Sequence, residues 1–171
     1  MGKRNFILLI ILLVIVILIL FSLKKENKPL PHNYIFKNLN FKDISEFKLK
    51  NFTIKNINGT WKIDNETCNS HEIEYLVNLL KSTDFSNVIS EDPSTFEKFK
   101  VTDNSSLKVE IKTTDGKNYK IYIGKITPDG NGCYIRYKNK VYLITQNIKI
   151  DFNKEKKDFY LHKKVKKSKK K

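Results

Sequence analysis

Leu107-Lys108-Val109-Glu110-Ile111-Lys112-Thr113-Thr114-Asp115-Gly116-Lys117-Asn118-Tyr119-Lys120-Ile121-Tyr122-Ile123-Gly124 decides the fold. Leu107, Val109 and Ile111 alternate with charged residues, Asp115-Gly116 supplies a turn, and Tyr119, Ile121 and Ile123 return with the same period of two. Asp129-Gly130-Asn131-Gly132 turns the chain again, after which Cys133, Ile135 and Tyr137 run out and Val141 and Leu143 come back past Asn139. Strict alternation is the mark of a half-buried strand, so the segment predicts a four-stranded antiparallel meander with one face on the core.

Working back toward the N-terminus, Asn69 or Ser70 caps a helix in which Ile73, Leu76, Val77 and Leu80 recur at i, i+3, i+4 and i+7. Glu72, three residues after Asn69, has the spacing of a capping box, and the helix runs to about Ser82. It is the natural cover for the apolar face of the meander. Asp92 followed by Pro93 starts a second short helix, Pro93–Phe99, with Phe96 and Phe99 as its buried side. Upstream, Asn58-Gly59 is a strong two-residue hairpin signal, flanked by Phe52 and Ile54 on one side and Trp61 and Ile63 on the other. A hairpin of Glu46–Asn56 with Thr60–Asp64 is expected, and Trp61 belongs to the core. The fold class expected is α+β: an N-terminal transmembrane helix, then a small domain whose antiparallel sheet, a hairpin plus the meander, is covered by one amphipathic and one short helix.

The transmembrane expectation rests on Phe6–Leu23, where every residue but Ser22 is Leu, Ile, Val or Phe. Eighteen helical residues rise roughly 27 Å, about the thickness of the hydrocarbon core. No small-x-small site follows, and Phe21-Ser22-Leu23 leads straight into Lys24-Lys25, so the run reads as an uncleaved anchor. Lys3 and Arg4 precede it while Lys24, Lys25 and Lys28 follow, so the positive-inside comparison is nearly tied; a two-charge N-terminus favours a signal-anchor with the domain exported. The organisation expected is a short basic terminus (1–5), the anchor (6–23), a Pro-interrupted linker (24–43), the α+β domain (44–152) and a lysine-rich tail (153–171).

The chain has 171 residues and a net charge of +15, of which Lys154–Lys171 carries +8 through ten lysines, Glu155 and Asp158. Lysine outnumbers arginine 31 to 2, a bias that follows AT-rich coding, and arginine is the residue favoured for bidentate phosphate contacts, so nucleic acid is not the expected partner. Lys163, Lys164, Lys166, Lys167, Lys169, Lys170 and Lys171 are either a solvated end or contacts to anionic lipid or wall polymer, worth about 1 kcal/mol each beside a charged membrane.

Catalytic chemistry has no foothold in the sequence, and no enzyme activity, cofactor or metal is expected. His32, His71 and His162 lack partners at ligand spacing, and the calcium-loop start at Asp129 meets Lys140 where a bidentate carboxylate belongs. There is no phosphate-binding loop and no nucleophile elbow. Cys68 and Cys133 are either one disulfide of an exported domain or two buried thiols. Tyr122, Tyr134 and Tyr142, read as facing away from Ile121, Ile135 and Val141, form with Arg136 a candidate partner or ligand face, with cross-strand packing as the plainer alternative.

Gly59-Thr60-Trp61-Lys62-Ile63, the helix Ile73-x-x-Leu76-Val77-x-x-Leu80, Phe96-x-x-Phe99-x-Val101, Tyr119-Lys120-Ile121-Tyr122-Ile123-Gly124, Tyr134-Ile135-Arg136 and Val141-Tyr142-Leu143-Ile144 occur in that order after the apolar run. In this the chain resembles an uncharacterised bacterial family of membrane-anchored domains of unknown function, associated with gliding-motility-type auxiliary ABC transporters. The resemblance covers about Ile44–Ile148 and implies an α+β domain held outside the cytoplasmic membrane, with a transporter complex as a partner and no catalytic residues to carry over. Longer members carry more than one such unit, and this chain has room for one. The function expected is therefore a single-pass anchored, extracytoplasmic, non-enzymatic domain that binds a partner at the cell-membrane surface, with contact through the lysine tail as the alternative.

Overall fold

The structure, a computed structural model, describes residues 12–15 and 31–161. Most of the expected anchor 6–23, and all of Lys163–Lys171, lie outside the described residues. Leu12–Ile15 are helical with exposed side chains and belong to a separate unit, 1–30. Among the described residues no helix is long and apolar enough to cross a membrane, so the transmembrane helix is not an element of the described fold.

The second unit is built on one antiparallel sheet of nine strands, which overturns the expected hairpin plus small four-stranded meander. The strands are β1 (Ile44–Leu49), β2 (Phe52–Ile57), β3 (Thr60–Ile63), β4 (Glu66–Thr67), β5 (Val88–Ser90), β6 (Leu107–Thr113), β7 (Asn118–Ile126), β8 (Cys133–Tyr137) and β9 (Lys140–Ile144). Their order is β4-β3-β2-β1-β6-β7-β8-β9-β5. The expected strand Glu46–Asn56 is two strands, because Lys50 adopts φ +53° and reverses the chain with Asn51. The Asn58-Gly59 turn forms as expected, with φ +50° and +82°, the conformation a two-residue hairpin loop demands. What welds hairpin to meander is β1 against β6, in the register Phe47↔Ile111 and Leu49↔Val109.

The helices are α1 (Ser70–Ser82) and the single-turn α2 (Lys149–Phe152). Asn69 caps α1 by accepting from the His71 amide at 3.2 Å, whereas Glu72 reaches Lys154 at 2.9 Å instead of closing a capping box. Ile73, Leu76, Val77, Leu79 and Leu80 of α1 are buried in the main core with Phe47, Leu49, Ile54, Ile63, Val109, Ile111, Ile121, Ile123 and Ile135. The core extends past both expected domain limits: Phe36 and Leu39 from the expected linker and Phe159 from the expected tail are all buried in it. Trp61 is buried as expected, with Phe41 stacked on it at 5.5 Å. Cys68 and Cys133 are buried free thiols.

The second short helix is a 3-10 turn, Pro93–Thr95, capped by Asp92 through the Ser94 amide at 2.9 Å. It opens a strap, residues 91–106, whose Phe96 and Val101 join Tyr122 and Val141 in a second apolar cluster. Tyr122 pairs with Arg136, and Arg136 with Val141, on the side of the sheet away from α1. The two helical pieces expected on one side thus lie on opposite faces. Gly124 is where the strap crosses β7: a Cβ there would meet the Phe99 carbonyl oxygen at 2.3 Å and Val101 Cγ1 at 2.6 Å.

Gly124→Ala has to push the Phe99 backbone away and should cost about 1–3 kcal/mol, read as a lower denaturation midpoint. Asp84, which takes hydrogen bonds from the Asn33 and Ser86 amides at 2.9 Å each, ties the segment entering the domain to the end of α1. Burial opposes its charge, but Asn33, His32 and Ser86 outweigh burial and hold its carboxyl at about 2, below the ordinary 3.8. A lowered folded pKa gives stability that is complete above the unfolded value and is lost as pH falls from about 4 toward 2. Asp84→Asn should therefore lower the urea midpoint at neutral pH and flatten its decline over that window.

Candidate functional site

The face of the sheet away from α1 falls into two parts. Over β7–β9 it is closed by the strap. Over β1–β3, β6 and the start of β7 no strap residue joins the apolar packing, and the strands present mostly polar side chains, with exposed Ile57 of β2 among them.

The closed part holds three of the four residues the sequence singles out. Arg136 projects from β8 between two rings, its guanidinium carbon 3.6 Å from the Tyr122 centroid and 5.0 Å from that of Phe96. Its Nε donates to the Val101 carbonyl at 2.7 Å, and a terminal nitrogen lies 3.8 Å from Asp103. A planar cation stacked on aromatic faces and bonded at its edge is a use of arginine that lysine cannot reproduce. Tyr122 is buried; burial, with Asp103 beside it, pushes its phenol up. Tyr134 packs against Phe99 at 4.9 Å. The polar atoms of Arg136 are thus engaged by the strap, although Tyr122 and Arg136 still border a cleft of about 290 Å³ with Asn118, Lys120 and Lys138. Tyr142 does not join them. The two-residue turn at Lys138-Asn139 sets Tyr142 opposite Ile135, so it stands on the core face, 5.2 Å from Phe85. Val141 takes the place expected for it.

The open part is a field of cross-strand charges. Glu46 opposes Lys112, Lys48 opposes Glu110, and Glu110 opposes Lys120; Lys55 opposes both Glu46 and Lys62. Lys112 bonds Glu46 at 2.9 Å, and Glu110 is met by Lys108 at 3.0 Å and Lys48 at 3.9 Å. Lys108 hydrogen-bonds Glu110, which holds that carboxyl below its usual range and the ammonium above its own. Six lysines, 48, 55, 62, 108, 112 and 120, stand against the carboxylates of Glu46 and Glu110 and that of Asp103, which reaches Lys108 from the strap at 3.9 Å. The sequence pattern contained these residues as the polar half of each alternation, but a solvated face and a binding face share that pattern.

Elsewhere, His32 pairs with Asp84 at 2.7 Å, and His71 stands exposed 3.9 Å from Glu74. The Asp129 turn is closed from within by Thr127, which donates at 2.5 Å, and by the Asn131 amide. Among the described residues no three His, Cys, Asp or Glu side chains converge to hold a metal ion.

No curated protein and no solved structure matches the chain. A family model does: the one described as Domain of unknown function (DUF4340) matches residues 61–165, from β3 past the end of the described residues and more than half of the chain. The chain belongs to this family.

Proposed function

We propose that this protein is a non-enzymatic domain tethered at the cell membrane, outside the cytoplasm, and that it binds the anionic membrane surface through the open face of its sheet. The uneven covering of that face carries the reading: the strap closes β7–β9, while its apolar residues do not reach the lysine-rich part over β1–β3 and β6. Three lysines of this part, Lys55, Lys62 and Lys120, have no ion pair among the described residues, and an excess of lysine suits a negatively charged surface, at about 1 kcal/mol per lysine close to it. The transporter setting implied by the family resemblance fits a domain pressed against the membrane, and the lysines after His162 add attraction of the same sign.

The full chain reconstituted in nanodiscs gives the test. Lys120→Cys places a thiol on the open face, and Tyr75→Cys places one on exposed α1. With anionic lipid, maleimide labelling at position 120 should slow several-fold against zwitterionic discs and recover in high salt, while position 75 is unchanged. Equal labelling of position 120 in both lipids refutes the reading.

A further inference from the structure

Lys55 and Lys62 stand directly opposite one another on β2 and β3, both on the open face. Like charges so placed cost stability, and the natural remedy is a carboxylate between them. None serves. Glu46, which faces Lys55 from β1, is held by Lys112 at 2.9 Å; Glu155 is held by Lys50 at 2.5 Å; Asp64 is held by Lys156. Neither Lys55 nor Lys62 makes an ion pair among the described residues. The pair lines a cleft of about 670 Å³ in which Thr53, Asn51 and Asn65 add hydrogen-bond donors; Lys156 and the carboxylates of Asp64 and Glu155, each already paired with a lysine, stand at its wall, so Lys55 and Lys62 are the lining cations without an ion pair among the described residues.

We propose that this cleft is a binding site for a phosphate ester, a proposal that rests on the open face being the membrane-facing one. A phosphate monoester carries about −1.5 to −2 charge at neutral pH, which matches two ammonium groups. Lysine ammoniums are point charges with three rotatable donors each, and they meet phosphate oxygens singly rather than through a bidentate fork. The Thr53 hydroxyl and the Asn51 and Asn65 amides donate to the remaining oxygens. The bound anion removes the repulsion between the two lysines, so the site is one whose cost is borne in the empty protein and relieved by its ligand. A lipid headgroup and a free phosphate share this chemistry.

The test follows backbone amide shifts of β2 and β3 in the full chain held in zwitterionic nanodiscs. One arm adds inorganic phosphate; the other puts phosphatidic acid into the disc; chloride at equal ionic strength is the reference. Saturable shifts with inorganic phosphate support a site open to free phosphate, and shifts with phosphatidic acid alone support a headgroup site. The Lys55→Gln, Lys62→Gln double variant should bind at least tenfold more weakly. Relieved of the like-charge pair, it should melt no lower than the native protein when phosphate is absent, which shows that it folds. No shift in either arm, or shifts that chloride reproduces, overturns the site. If position 120 is still protected by anionic lipid when the cleft fails to respond, only the phosphate site falls. If the cleft responds while position 120 stays unprotected, the cleft is supported and the membrane-facing reading falls.

Discussion

Everything in the described domain depends on the pairing of β1 with β6. These strands are some sixty residues apart in sequence, yet Phe47 lies beside Ile111 and Leu49 beside Val109 in the middle of the sheet. Without this junction the chain would be a four-stranded piece, β4-β3-β2-β1, and a five-stranded piece, β6 to β9 with β5. Each would expose its inner edge, and α1 would have no single surface to bury its leucines against. Closing so long a loop costs chain entropy before any contact forms, and the fully buried Phe47, Leu49, Val109 and Ile111 offset that cost.

Joining the pieces also sets the polarity of the two faces. One face is committed along its length to α1 and the aromatic cluster around Phe36 and Phe85. The other is divided, because the apolar residues of the strap pack only over β7–β9. Gly124 lets the strap backbone lie close against β7, and Arg136 fastens it by stacking between Tyr122 and Phe96. On the uncovered strands lysines outnumber carboxylates, and Lys55 and Lys62 face one another without an ion pair among the described residues. That is the physical basis for the proposal that this part of the molecule faces an anionic surface.

The elements legible in the sequence are those whose signals are local. Asn58-Gly59 marks a turn by its need for positive φ, Asn69 marks the start of α1 by its side-chain acceptor, and the i, i+3, i+4, i+7 series from Ile73 marks the buried stripe. The turn at Lys50-Asn51 was hidden because it lacks glycine, and so β1 and β2 read as one strand. The β1–β6 contact leaves no local trace. Nor do β4 and β5, which are two and three residues long and are strands only because of their neighbours. Tyr142 stands on the core face, against the sequence expectation, for a related reason: the register of β9 is fixed by a two-residue turn at Lys138-Asn139 that sequence alternation alone leaves ambiguous. Of the candidate face, Tyr122, Tyr134 and Arg136 do converge, but the strap that covers them comes from a segment read as a helix on the other side. The open lysine face was visible only as ordinary polar alternation.

The most direct measurement is interstrand Hα–Hα and amide contacts by nuclear Overhauser spectroscopy on the labelled chain, read between β1 and β6. Cross-peaks consistent with Phe47 beside Ile111 and Leu49 beside Val109 are expected, together with slow amide exchange in both strands. Cross-peaks confined to β1–β2 and β6–β7, with fast exchange along the facing edges of β1 and β6, would mean that the sheet is two sheets. The divided face built on its continuity would then not exist.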